Sequence, residues 1–177
     1  YTLQRVRHLK KEGMLTVSAN TKNKQPLVMA NLLTTEGSDG VSDVVTEEGD
    51  GFVSGMASGK KFAFSTNPGK VYQTNERETD AAAMTWTTDR DFVAMATSFS
   101  DRNSAKTLIS SEVLTFEWSV DGVKYSVAKN ATLSISSARK PKSVLVNGKA
   151  IRNFKYDSAK KQVSLEIQAG EGLIKIN

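Results

Sequence analysis

The sequence predicts an all-β protein, an antiparallel β-sandwich, and three observations carry that prediction. Apolar residues alternate with polar ones almost throughout. Residues that close tight hairpins sit between the alternating runs. No window of helical length repeats its apolar residues at the roughly 3.6-residue spacing of a helix face.

The alternation is clearest near the C-terminus, where Val163, Leu165 and Ile167 are each followed by a polar residue. The same pattern recurs at Leu114, Phe116 and Trp118, at Val123, Tyr125 and Val127, and at Leu133 and Ile135. Such spacing lines one side of a strand with apolar groups. Residues 91–99 read as a longer strand with both faces partly covered: Phe92, Ala94 and Ala96 lie on one side, Val93, Met95 and Phe99 on the other. Further strands are expected at 14–17, 27–33, 51–54, 61–65, 70–73, 83–87, 143–146 and 172–176, with one short helical turn within 103–110. Asp121-Gly122 and Asn147-Gly148 are strong hairpin signals, and Gly49-Asp50-Gly51 and Asn67-Pro68-Gly69 mark further reversals.

Length and composition agree with this picture. A chain of 177 residues fits a single domain, 1–177, and buries about 70% of its unfolded surface. The apolar fraction is 38% and aromatics are 7%, so the core leans on aliphatic residues. With no Cys there is no disulfide, thiolate metal site or Cys nucleophile. No apolar run approaches the roughly 18 residues of a membrane span. The chain starts at Tyr1 without a leader pattern, which is expected of a processed product or a fragment of a longer protein.

Charge is segregated along the chain. Residues 36–50 carry Glu36, Asp39, Asp43, Glu47, Glu48 and Asp50 with no Lys or Arg, and read as a long loop or hairpin. Asp39, Asp43, Glu47 and Asp50 are the candidate oxygen ligands for a hard cation such as Ca²⁺, although their spacing matches no known calcium loop; no other cofactor is expected. The chain is basic overall, with 24 Lys and Arg against 19 Asp and Glu. The excess gathers after residue 126, where Arg139, Lys140, Lys142, Lys149, Arg152 and Lys155 surround one expected hairpin. Such a surface is either simply solvated or drawn to polyanions. Guanidinium and ammonium groups pair with uronate carboxylates or sulfates. A nucleic-acid partner is not expected, because only Phe154 and Tyr156 are interleaved with these charges.

Catalytic motifs are missing. The single His8 precludes a two-His metal site. Gly55-Met56-Ala57-Ser58-Gly59-Lys60 lacks the glycine that a phosphate loop needs five places before Gly59, where Ser54 stands. His8 lies in Arg5-Val6-Arg7-His8, and neighbouring cations would favour its neutral form, so it is the one candidate base. Arg5, Arg7, Arg139, Lys142, Arg152 and Tyr156 are the candidate substrate-binding residues. Trp86 and Trp118 alternate with apolar neighbours and are expected in the core, whereas Tyr156 has a polar setting.

The segments Leu133-Ser-Ile-Ser, Lys142-Ser-Val-Leu-Val-Asn-Gly-Lys149, Phe154-Lys-Tyr-Asp157, Val163-Ser-Leu-Glu-Ile167 and Gly172-Leu-Ile-Lys-Ile176 resemble the closing strands of C-terminal β-sandwiches in carbohydrate-active enzymes. Together with Gly51-Phe-Val-Ser-Gly55, Phe62-Ala-Phe-Ser65 and 83–99, the chain resembles the β domain of heparinase II/III-like polysaccharide lyases. That resemblance implies the C-terminal part of a secreted or periplasmic bacterial enzyme acting on glycosaminoglycan or alginate. It implies a helical α/α-toroid domain as partner and acidic polysaccharide as substrate. The toroid brings the catalytic Tyr in that family, so no family catalytic residue falls on this chain, which alone is expected to be non-catalytic. A free-standing carbohydrate-binding module and a structural or adhesive surface domain are the alternatives. An uncovered apolar sheet face would favour the lyase domain, and a stacked pair of exposed aromatics the binding module.

Overall fold

The computed structural model describes residues 2–8, 12–18, 31–33, 45–57, 59–67 and 69–177, with the side chains of these residues from 49 onward except Ala57. Every regular element among the described residues is a strand, and every pairing is antiparallel. Three strands, β1 (Thr2–His8), β2 (Glu12–Ser18) and β3 (Asn31–Leu33), form a small sheet in that order.

The remaining fifteen belong to one continuous ladder. Before its centre come β4 (Val45–Gly49), β5 (Phe52–Ala57), β6 (Lys60–Ser65), β7 (Tyr72–Gln73), β8 (Arg77–Thr79) and β9 (Ala83–Trp86). The centre is β10 (Asp91–Asp101) and β11 (Lys106–Ser119). After it come β12 (Gly122–Val127), β13 (Ala131–Ser136), β14 (Val144–Val146), β15 (Lys149–Ile151), β16 (Phe154–Asp157), β17 (Gln162–Ile167) and β18 (Gly170–Ile176). The expected helical turn within 103–110 is absent: residues 102–105 form a turn and Lys106 already lies on β11. Of the strand expected at 27–33, residues 27–30 lie outside the described residues.

The two central strands are 11 and 14 residues long, about twice the usual strand, because each serves two arms of the sheet. The first half of β10 pairs with β9 and its last three residues with β8. The first part of β11 pairs with β13 and its second half with β12. One arm therefore runs from β10 through β9, β6 and β5 to β4, and from β11 through β12, β18 and β14 to β15. The other runs from β10 through β8 to β7, and from β11 through β13 and β17 to β16.

The register breaks twice between Val93 and Ser98, and Met95 between them has φ of 56°. Extra residues of this kind bend a strand and strand some of its N–H groups. The loose donors are captured. The Asp80 carboxylate accepts from the Thr97 N–H at 2.9 Å and the Ser98 N–H at 2.8 Å, and Thr115 Oγ1 accepts from the Met95 N–H at 3.2 Å.

The size of the bend follows from one side chain. Arg77 of β8 donates to Asp91 at 3.0 Å and to Asp101 at 2.6 Å, so one guanidinium holds both ends of β10. A straight strand would put those ends about 33 Å apart, at roughly 3.3 Å per residue. The central pair is therefore folded over and the two arms face each other. Both bury their side chains in one cluster that includes Met84, Val93, Phe99, Leu108, Phe116, Tyr125, Leu133, Leu165 and Ile174. At its middle the Phe99 and Phe116 rings meet edge to face at 5.5 Å. The expected all-β, antiparallel class is what the chain shows, in the form of one continuous sheet that turns back on itself.

Asp121-Gly122 closes the β11–β12 hairpin as expected. Gly122 has φ of 126°, and a Cβ there would collide with the main-chain carbonyl of Ile174 on β18. Both backbone angle and space exclude a side chain. Gly122→Ala is expected to cost more than about 1 kcal/mol, read as a lower urea midpoint. Val120→Ser, in the same turn but 90% exposed, is expected to leave the midpoint unchanged.

Candidate functional site

Four segments meet at one end of the β13–β17 ladder and enclose a shallow groove of about 740 Å³. Ser111 comes from the bend of β11, Asn130 and Thr132 from the start of β13, and Glu166 and Gln168 from the end of β17. Arg152 and Asn153 come from the link between β15 and β16. The register makes this meeting unavoidable. Ala131 pairs with Ile167 and Thr132 with Glu166. Phe154 pairs with Leu165, so the antiparallel path carries Asn153 and Arg152 alongside Glu166 and Ile167. Ala131 and Ile167 turn into the core, and Ile151 beside them is half-buried against it. The polar side chains of the wall are exposed.

Two wall groups are oriented by the backbone. Asn130 Oδ1 accepts from the Ala169 N–H at 2.9 Å, which leaves its two amide hydrogens free to donate. Ser111 Oγ accepts from the Thr132 N–H at 3.0 Å, which leaves its hydroxyl hydrogen free. Among the described residues no carboxylate lies within ion-pair distance of Arg152, Glu166 included.

Of the binding residues expected from the sequence, Arg152 alone lines this groove. Arg139 and Lys142 are exposed in the link from β13 to β14. Tyr156 stands at the other end of β16, half-buried against the core, with its hydroxyl donating to the Ser137 carbonyl at 3.4 Å. Arg5, Arg7 and His8 lie on β1, at register positions opposite Leu15, Gly13 and Glu12, and their side chains are outside the described set. Asp39 and Asp43 fall outside the described residues. Glu47 takes a place on β4 opposite Ser54, and Asp50 is exposed in the β4–β5 turn. Among the described residues no three His, Asp or Glu side chains are grouped to hold a metal ion. Trp86 is buried and Trp118 packs against the core, as expected.

A second polar cluster lies in the core and is invisible in the sequence. Arg77, Asp91 and Asp101 are 5%, 1% and 3% exposed. Lys106 Nζ reaches Asp91 Oδ2 at 2.9 Å and sits over the Trp118 ring. Arg77 sits over the Trp86 ring, whose Nε1 donates to Glu76 at 2.7 Å; Glu76 in turn pairs with Lys61. Paired carboxylates are the usual equipment of acid–base catalysis, but these are fully engaged. Burial pushes Asp101 up, yet hydrogen bonds from Ser104 and the Asn103 N–H, with the Arg77 charge, hold it below its ordinary value. The Lys61 and Trp86 hydrogen bonds hold Glu76 low too. Tyr72, stacked on Phe52, is buried, and burial together with the Asp80 charge raises its phenol well above the ordinary value, so it stays protonated and supplies no phenolate base. This cluster holds the fold together.

No protein-family model matches the chain, no curated protein matches it, and no solved structure matches it. The fold and groove therefore define it by class: an antiparallel all-β protein with a polar surface groove. Among the described residues no helix is long and apolar enough to cross a membrane.

The carboxylates with lowered values set the pH response. Asp101 and Glu76 contribute stability that is fully present above their unfolded values near pH 4 and is lost as pH falls through the folded values. Arg77→Met leaves two buried carboxylates facing one cation, and is expected to cost about 3–5 kcal/mol at neutral pH. Its loss of stability on the acid side should be shallower than that of the parent, because Asp101 has lost the cation that keeps it ionised. Urea titrations at steps from pH 7 to pH 3 read both effects.

Proposed function

We propose that the chain is a non-catalytic β domain of a bacterial polysaccharide lyase of the heparinase II/III-like type, acting outside the cytoplasm on uronate-containing polysaccharide. In this reading it packs against a helical catalytic domain and forms one wall of the substrate cleft. The observation that carries it is a set of exposed apolar residues on the outer sides of β10 and β11 and at the bend between them. Phe92, Met95, Val113 and Ile109 are 42%, 63%, 51% and 52% exposed. Met95 lies beside Thr115, two residues from Val113, and Ile109 pairs with the β10 strand at Ser98. Contiguous apolar surface marks contact sites, and this reading assigns Met95 and Val113 at the bend to the contact.

A free-standing sugar-binding module has less support. Among the described residues the one stacked aromatic pair is Phe52–Tyr72, and Tyr72 is buried, so it offers no platform to a sugar ring. In the proposed reaction a base on the helical domain takes the C5 proton of a uronate. The C4–O bond breaks, a C4–C5 double bond forms, and the departing oxygen takes up a proton. Cations near the uronate carboxylate stabilise the enolate-like charge, and the β domain contributes cationic wall rather than base.

Material from the native source, analysed by intact mass, is expected to show this chain joined to, or co-purifying with, a larger helical polypeptide. Together they should release unsaturated uronate product, seen by ultraviolet absorbance, and the chain alone should release none. Phe92→Glu with Val113→Glu is expected to weaken the association while leaving the melting midpoint of the isolated chain unchanged. A stable, monodisperse chain with no helical partner overturns the proposal.

A further inference from the structure

We infer that the outer edge of β16 is a dimerisation site, where a second copy of this chain adds its own β16 antiparallel across a two-fold axis at Tyr156. The site does not depend on the lyase reading.

The large sheet is open, so it has edges. Its terminal strands are β4 and β15 on one arm and β7 and β16 on the other. An edge strand turns unpaired N–H and C=O groups sideways and accepts another strand unless charge, brevity or a bulge prevents it. Three of these edges suit their own copies poorly. β7 has only Tyr72 and Gln73. β4 carries Glu47 and Glu48 side by side, so self-pairing sets acid near acid. β15, centred on Ala150, sets Lys149 opposite Ile151, a charge against an apolar group.

β16 is different. Among the described residues it has a strand, β17, on one side only. Phe154 and Tyr156 are half-buried against the core, and Lys155 and Asp157 are exposed on the other face. Residues opposite each other in an antiparallel pair share a face. A copy that keeps its core on the same side must therefore pair inward residues with inward ones. A register centred on Lys155 sets lysine against lysine, and one centred on Asp157 sets aspartate against aspartate. The register centred on Tyr156 sets Lys155 opposite Asp157 of the second copy and, by symmetry, Asp157 opposite its Lys155. Two ion pairs then flank a pair of Tyr156 rings, which cover each other's exposed edges.

The two charges are available for this. Among the described residues no carboxylate lies within ion-pair distance of Lys155. Asp157 Oδ1 accepts from the Ala159 N–H at 2.9 Å and the Lys160 N–H at 3.0 Å, which fixes the carboxylate and leaves Oδ2 to a partner. Four residues a side make a small contact, so the dimer forms and parts with concentration.

The test is sedimentation velocity of the intact chain in a concentration series up to the millimolar range. A reversible monomer–dimer equilibrium is expected. Lys155→Glu sets acid against acid at both places and should weaken the dimer at least about tenfold. Val113→Glu at the bend and Lys149→Glu on β15 should each change it less than about threefold. Asp157→Asn removes the charge but keeps an Oδ1 for both turn hydrogen bonds. Mixed with Lys155→Glu, it should form the heterodimer in preference to either homodimer, because the mixed pair keeps one Lys155–Asp157 contact and meets no like charges. Native mass spectrometry with one variant isotope-labelled counts the three species. Melting midpoints of Lys155→Glu and Asp157→Asn should match the parent, since both side chains are exposed. No dimer at millimolar concentration overturns the site. So does a dimer that Lys155→Glu leaves intact, one that Val113→Glu or Lys149→Glu weakens equally, or random mixing of the two variants. A β16 dimer with no helical partner sinks the lyase reading and leaves this site standing; a helical partner on a chain that never dimerises does the reverse.

Discussion

One guanidinium holds both ends of one strand. Arg77 meets Asp91, where β10 begins, and Asp101, where it ends. The cost of taking these charges out of water is high, and it is met by pairing every one of them. Asp91 has Arg77 and Lys106; Asp101 has Arg77, the Ser104 hydroxyl and the Asn103 N–H. The fold-over of the sheet, the facing of its two arms and the single apolar cluster between them all require this closure. Asp80 does the complementary work on the bend itself, by accepting N–H groups that the broken register leaves over.

The scaffold and the groove are separate pieces of chemistry. Charges in the core are matched one against another and closed to solvent, which is what a structural cluster needs. The groove has the opposite character: its donors are oriented but unspent, and its cation is unpaired among the described residues. It lies at strand ends, where the pleat stops and side chains from neighbouring strands project together. The exposed apolar residues on the outer sides of β10 and β11 are a third feature, independent of both.

Much of the fold is legible in the residues. Strands β12, β13 and β17 alternate so cleanly that their buried sides can be named in advance, because each has one face on the core and one in water. The Asp121-Gly122 and Asn147-Gly148 hairpins declare themselves for the same local reason. What resisted reading depends on distant partners. Arg77-Glu78-Thr79 has no apolar residue and looks like a solvated turn, yet Arg77 and Thr79 are buried because Asp91, Asp101 and the Ser98 carbonyl wait for them. The start of β11 looks helical in isolation because its polar residues answer to β13, not to an apolar stripe. At the groove, Arg152 stands out as a cation by a turn. Asn130, Glu166 and Gln168 are ordinary polar residues until the register brings them together, and Tyr156, polar by its neighbours in sequence, is turned toward the core.

Because β10 and β11 belong to both arms, the arms have no boundary at which one could melt and leave the other intact. Loosening β8 frees Arg77, which releases both ends of β10 and with them the pairing of β9 and β12 on the opposite side. Such a body should come apart in one all-or-none step rather than layer by layer. Shared strands thus give this chain, which has no cysteine cross-links, the cooperativity of a much more tightly stapled one.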